Sequence, residues 1–208
     1  MKKSALGFGL AVLAAALTLD SGVSHAGFFQ DLFNSARSGG SYYPEEVPRN
    51  RMVPLRFKRQ TVNYNTNEKA GTIIIDSRAH YLYYVLGEGR AIRYGIGVGR
   101  QGFGWKGTVR VGGKATWPTW TPPPEMIIRE RKRGHIIPAQ MKGGPNNPLG
   151  ARALYLHSPK GDTGYRVHGT SEPWTIGLNV SSGCIRLLNK DVEDLYNRAR
   201  IGAKVVVL

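Results

Sequence analysis

From Gly71 to Leu208 the chain alternates short apolar runs with breaks rich in glycine and proline. "TIIIDS" (72–77) is a continuous apolar run of the length expected for a buried strand. "HYLYYVLG" (80–87) is alternating and aromatic, and "RAIRYGIGVG" (90–99) follows after Gly87-Glu88-Gly89. β-branched and aromatic residues between tight turns read as neighbouring strands. "GTVRVGG" (107–113) and "KATWPTW" (114–120) read as two further short strands. "RALYLHS" (152–158) and "YRVHG" (165–169) come next, separated by the turn-like Pro159-Lys160-Gly161-Asp162, and "AKVVVL" (203–208) closes the chain. These elements predict a mainly β fold, built from short strands and Gly/Pro turns.

One segment has helical rather than strand periodicity. Val192, Leu195, Tyr196 and Ala199 fall at i, i+3, i+4 and i+7, one apolar stripe. Asn189 is placed as the N-cap, Asp191 and Glu193 suit the positive end, and Arg198, Arg200 and Gly202 suit the other. The basic run "IIRERKRGH" (127–135) reads as a solvated loop.

The first seventy residues differ. Lys2 and Lys3, the uncharged run Ala5 to Leu19 and Ser24-His25-Ala26 have the three-part layout of a secretory signal peptide. The run is shorter than the ~20 residues of a transmembrane helix. Residues 1–26 are therefore assigned as a signal peptide, 27–69 as a basic tail or linker containing Pro, Ser and Gly, and 70–208 as the folded domain. The protein is expected to be exported. Removal of Lys2, Lys3 and Asp20 lowers the net charge only from +15 to +14. Such a surface suits a polyanion, and export argues against nucleic acid.

Export gives meaning to the single cysteine, Cys184. Exported proteins usually pair their cysteines, and an odd one points to a reactive thiol or an intermolecular bond, with a buried structural Cys as the plain alternative. An ordinary thiol is mostly protonated at neutral pH, so a nucleophilic Cys needs a base. His168, at the end of a strand and sixteen residues earlier, is the natural candidate. Gly169 follows it. Ser182, Gly183 and Cys184 form a small-residue turn whose backbone N–H groups can face a developing oxyanion. Arg186 can clamp a carboxylate. Gly97-Val-Gly99-Arg-Gln-Gly102 matches a nucleotide-binding spacing but lacks the helix that motif requires, and reads as a glycine-rich turn. The histidines have no metal-ligand spacing with one another or with Cys184, so no metal is assigned.

"HGTSEPWTIGLNVSSGCIRLLNKDVEDLY" (168–196) resembles the signature of the YkuD-type L,D-transpeptidases. The matching parts are His168-Gly169-Thr170, Pro173-Trp174-Thr175-Ile176-Gly177, Ser181-Ser182-Gly183-Cys184-Ile185-Arg186, and the helix from Asp191 to Tyr196. "TWTPP" (119–123), "NPLGARALYL" (147–156) and "TIIIDSRAHYLYYV" (72–85) are also similar to that family, so the resemblance covers residues 70–208. It implies a YkuD-like β-sandwich or barrel-like catalytic domain, periplasmic and cell-wall associated, with one prominent helix after the Cys loop. It implies that Cys184 is the nucleophile and His168 its base, with Gly169, Ser182 and Gly183 in the catalytic group. Arg186, Trp174 and Ser181 would line the substrate pocket. The partners would be peptidoglycan stem peptides, a tetrapeptide donor and a diaminopimelate acceptor, joined in a 3→3 cross-link. No cofactor is implied, and acylation by carbapenems is expected.

The chain departs from the family at Ser182, where a histidine is usual. Serine cannot be a cation, so the third member of the catalytic group stays open at this point; a backbone carbonyl, such as that of Gly169, can orient the imidazole instead. Water as acceptor would make the enzyme an L,D-carboxypeptidase. A protein amine would make it an anchoring enzyme for an outer-membrane protein or lipoprotein. A non-catalytic peptidoglycan-binding module is the alternative from a different class.

Overall fold

The computed structural model describes residues 51–99, 105–132, 134, 136–181 and 183–208. The signal-peptide and 27–50 assignments lie outside them, as do Ser182, His135 and the Arg100–Gly102 part of the glycine-rich turn. Eleven strands are present among the described residues: β1 (Gln60–Asn63), β2 (Ile73–Asp76), β3 (Tyr81–Gly87), β4 (Arg90–Gly95), β5 (Val98–Gly99), β6 (Gly107–Thr116), β7 (Arg152–Ser158), β8 (Gly161–His168), β9 (Asn179–Ser181), β10 (Ile185–Arg186) and β11 (Lys204–Val207). The helices are α1 (Pro124–Lys132) and α2 (Asn189–Arg198), with single 3-10 turns at Leu55–Phe57 and Pro173–Thr175.

Nine strands form one sheet in the order β1-β4-β3-β2-β11-β6-β7-β8-β10, and β5 pairs with β9. The sheet curls until the chain leaving β4, the strand next to the β1 edge, meets β10 at the opposite edge. Gly97, just past β4, exchanges two 2.9 Å backbone hydrogen bonds with Arg186 in β10. This closure makes the architecture barrel-like and leaves one interior to fill. Ile73, Ile75, Leu82, Tyr94, Leu154, Leu156, Val167, Leu187, Val205 and the α2 residues Val192 and Leu195 share that core.

The expected strands are present with shifted limits. "GTVRVGG" and the start of "KATWPTW" are one strand, β6, because a bulge between Val111 and Gly113 absorbs the glycine pair without ending the pairing with β7. At Gly112 a Cβ would lie 2.1 Å from the His157 ring, which accounts for the glycine there. The basic run 127–135, read as a loop, is helical as far as Lys132. The apolar stripe of α2 is as expected, with Val192 and Leu195 fully buried. Its cap is not: Leu188 occupies the N-cap position and Asn189 is the first helical residue, its side chain engaged elsewhere.

Residues 51–69, read from sequence as the end of a tail, pack onto the domain. β1 adds antiparallel to β4 as an exposed edge strand, which its polar composition permits. Phe57 is buried, and its ring lies where a Cβ at Gly177 would stand, only 2.2 Å from Phe57 Cε2. Gly95 admits the Phe57 backbone in the same way. No helix among the described residues is long and apolar enough to cross a membrane.

Candidate active site

The site is assembled by β8 and β10, which run parallel with Val167 opposite Ile185 and His168 opposite Arg186. Side chains alternate along a strand, so Val167 and Ile185 face the core and Arg166, His168 and Arg186 face the other way. Continued one residue before β10, the same register would set Cys184 beside Arg166, on the face that carries His168. The sixteen-residue separation in sequence is thus closed by strand pairing, through the Pro173–Thr175 turn and β9.

His168 is 3% exposed. Its Nδ1 lies 2.6 Å from the Gly169 carbonyl oxygen. A carbonyl can only accept, so Nδ1 carries the proton and Nε2 is the basic nitrogen. Burial pushes the imidazole pKa down from 6.5 to about 4, against the Gly169 hydrogen bond and with help from the Arg166 charge. Cys184 is a free, half-buried thiol. Burial pushes its pKa up, while the Arg166 N–H and guanidinium pull the other way. Both directions favour a neutral thiol beside a neutral imidazole at rest, rather than a preformed ion pair.

The turn before Cys184 is held by Ser181. Its hydroxyl donates to the Cys184 carbonyl at 2.6 Å and accepts from the Gly183 N–H at 3.2 Å. Gly183 has φ 110°, a conformation that other residues adopt only with strain. Arg186 is buried, with Nη1 3.4 Å from Glu172 Oε2, itself buried. That pair ties β10 to the start of the Pro173–Thr175 turn. Trp174 is half-buried, and its carbonyl accepts from Arg51, as does that of Ile176 at 3.0 Å. The structure therefore brings His168, Gly169, Ser181, Gly183, Cys184 and Arg186 to one strand pair, with Trp174 on the adjoining loop.

Sequence reasoning passed over Arg166, two residues before His168 and so on the same strand face. Its fork is held by Asp162, with Nη1–Oδ1 2.7 Å and Nη2–Oδ2 2.8 Å. The strand alternation of "YRVHG" was the signal for it. Asn189 was noticed only as a cap. Among the described residues no group of three His, Cys, Asp or Glu side chains could hold a metal ion.

Comparison with known proteins identifies the family of the domain. The sequence profile of the YkuD family, described as the L,D-transpeptidase catalytic domain, matches residues 70–207. The chain belongs to that family. It is 36% identical over 139 residues to the Probable L,D-transpeptidase YbiS of Escherichia coli K12, covering 65% of this chain and 43% of that protein. It is 35% identical over 159 residues to the Probable L,D-transpeptidase ErfK/SrfK of the same strain, covering 74% and 48%. The chain thus spans less than half the length of these curated relatives. A crystal structure from Brucella melitensis, called a Probable carnitine operon oxidoreductase caia, is 44% identical, covering 77% of this chain and all of that one, with a TM-score of 0.49.

Proposed function

We propose that this protein is an exported, periplasmic L,D-transpeptidase that cross-links peptidoglycan through a thioester on Cys184. The observation that carries the reading is the His168–Gly169 contact, because it leaves Nε2 as an acceptor on the face shared with the thiol. His168 Nε2 takes the thiol proton as sulfur attacks the carbonyl at the L-centre of diaminopimelate in a tetrapeptide stem. The backbone N–H of Cys184 is the better placed oxyanion donor, since that of Gly183 is engaged by Ser181. The C–N bond to D-Ala breaks, and the departing amine takes the proton from His168. The D-centre amine of a second stem then attacks the thioester, loses its proton to His168 and releases the thiol, giving a 3→3 link. Trp174 and Ser181 shape the pocket. Arg186, paired with Glu172, supports the pocket loop rather than offering an open carboxylate clamp.

Incubation with a disaccharide-tetrapeptide, followed by mass spectrometry beside a Cys184→Ala control, tests the proposal. A cross-linked dimer and free D-Ala, both absent from the control, are expected. Tripeptide without dimer would instead assign a carboxypeptidase. Turnover only when an outer-membrane protein or lipoprotein is added would assign anchoring. Unaltered tetrapeptide under all these conditions would leave a peptidoglycan-binding module.

A further inference from the structure

The Asn189 side chain lies directly behind the His168 contact. Its Oδ1 accepts two backbone N–H groups, from Thr170 at 3.1 Å and from Ala151 at 3.0 Å. Both partners are donors, so the amide orientation is fixed. The Thr170 N–H and the Gly169 C=O are the two ends of one planar peptide unit. One end of that unit is held by Asn189 and the other accepts from His168 Nδ1. Donation at the N–H end polarises the carbonyl at the other, which makes it a better acceptor. The surroundings are cut to fit this amide. A Cβ at Gly169 or at Gly150 would lie 2.2 Å from Asn189 Oδ1, and Gly150 also has φ 62°. These two glycines, nineteen residues apart in sequence, each leave room for the same oxygen.

We propose that Asn189 is a positioning residue for His168: it fixes the Gly169–Thr170 peptide so that the carbonyl holds Nδ1–H and leaves Nε2 bare. The helix that follows the nucleophile thereby sets the tautomer of the base, and a peptide unit takes the orienting role a third side chain fills in other Cys–His sites. The link to catalysis rests on His168 being the base, whereas the link to its tautomer does not.

The test uses the purified protein with nitrogen-15 histidine, in the wild type and in Asn189→Ala, Asn189→Asp and Leu195→Ala variants. Leu195 is buried on the same helix away from the relay, so its variant reports lost stability alone. The wild type is expected to show the His168 Nδ1–H tautomer. Asn189→Ala is expected to lose it to a mixture, and to lower the rate of Cys184 alkylation by iodoacetamide near neutral pH by about tenfold. In transpeptidation its loss should fall on kcat rather than KM. Asn189→Asp keeps the acceptor oxygen and should retain the tautomer, and Leu195→Ala should retain it despite a lower Tm. An unchanged tautomer in folded Asn189→Ala overturns the proposal, as does an Nε2–H tautomer in the wild type. A changed tautomer with unchanged alkylation upholds the relay and removes His168 from its role as base.

Discussion

Two residues carry the proposed chemistry, and their environments set when it can run. His168→Ala should lower transpeptidation by about a hundredfold or more, the usual share of a general base. Ser182→Ala should retain much of it, because the Gly169 carbonyl already orients the imidazole. Equal, complete loss in both, in steady-state assays on folded protein, would contradict the assignment. The buried imidazole also makes stability depend on pH. Its pKa is about 4 in the folded protein against 6.5 ordinarily, so the unfolded chain binds more protons between those values. The native state therefore gains stability as pH rises from about 4 to about 6.5 and loses it on acidification, by on the order of 3 kcal/mol. Denaturant titrations across that range should show the slope in the wild type and not in His168→Gln. Cys184 and His168, the proposed nucleophile and base, were legible as candidates because each stands in a dense local motif. Asn189 was not: a polar residue at a helix start reads as a cap, and nothing local says that its oxygen meets backbone more than thirty residues upstream.

At the scale of elements, strand alternation and turn glycines revealed the long strands, while the short ones were hidden. β10 has two residues, too few for a period, and it exists because β8 pairs with it in parallel. The stretch before Glu68 was hidden for another reason. Phe57 is an isolated aromatic in a polar, basic context, and its partners Gly95 and Gly177 lie far away in sequence. Folded, this stretch is a strap. Arg51 bonds the carbonyls of Trp174 and Ile176, Phe57 covers Gly177, and Arg59 lies 3.1 Å from Asp194 and 3.8 Å from the fully buried Asp191 on α2. It therefore touches both the loop of residues 174–177 and the helix that follows Cys184. Gly177 has φ 84°, so Gly177→Ala carries a backbone penalty of ~1–2 kcal/mol, and the collision with the Phe57 ring adds to it. Phe57→Ala alone should destabilise by about 3–5 kcal/mol. Combined, the two should cost less than their sum, because the truncated ring no longer meets the new methyl. Thermal unfolding of the four proteins measures that coupling, and strict additivity would mean the strap does not seat on Gly177.

At the scale of the molecule, one curled sheet converts distant sequence into a single site. β10 pairs with β8 at one edge and closes onto Gly97, and the strap, upstream of the residues that match the family profile, ties the loop of residues 174–177 to α2. The mainly β class was readable from periodicity, and the identity of the domain from its motifs. The closure was not, because it depends on register between the two ends of the sheet. The strongly basic character of the chain, at +15, would attract it to polyanions in general. The proposed chemistry turns on Cys184 becoming an acyl-thioester with His168 as base. The most direct test is the intact mass of the protein after rapid mixing with disaccharide-tetrapeptide without further acceptor. A transient adduct with the mass of the donor less D-Ala is expected, located on Cys184, slow to form in His168→Ala and absent in Cys184→Ala. An equal adduct in Cys184→Ala, or product formed by folded wild type with no dependence on Cys184, would contradict it.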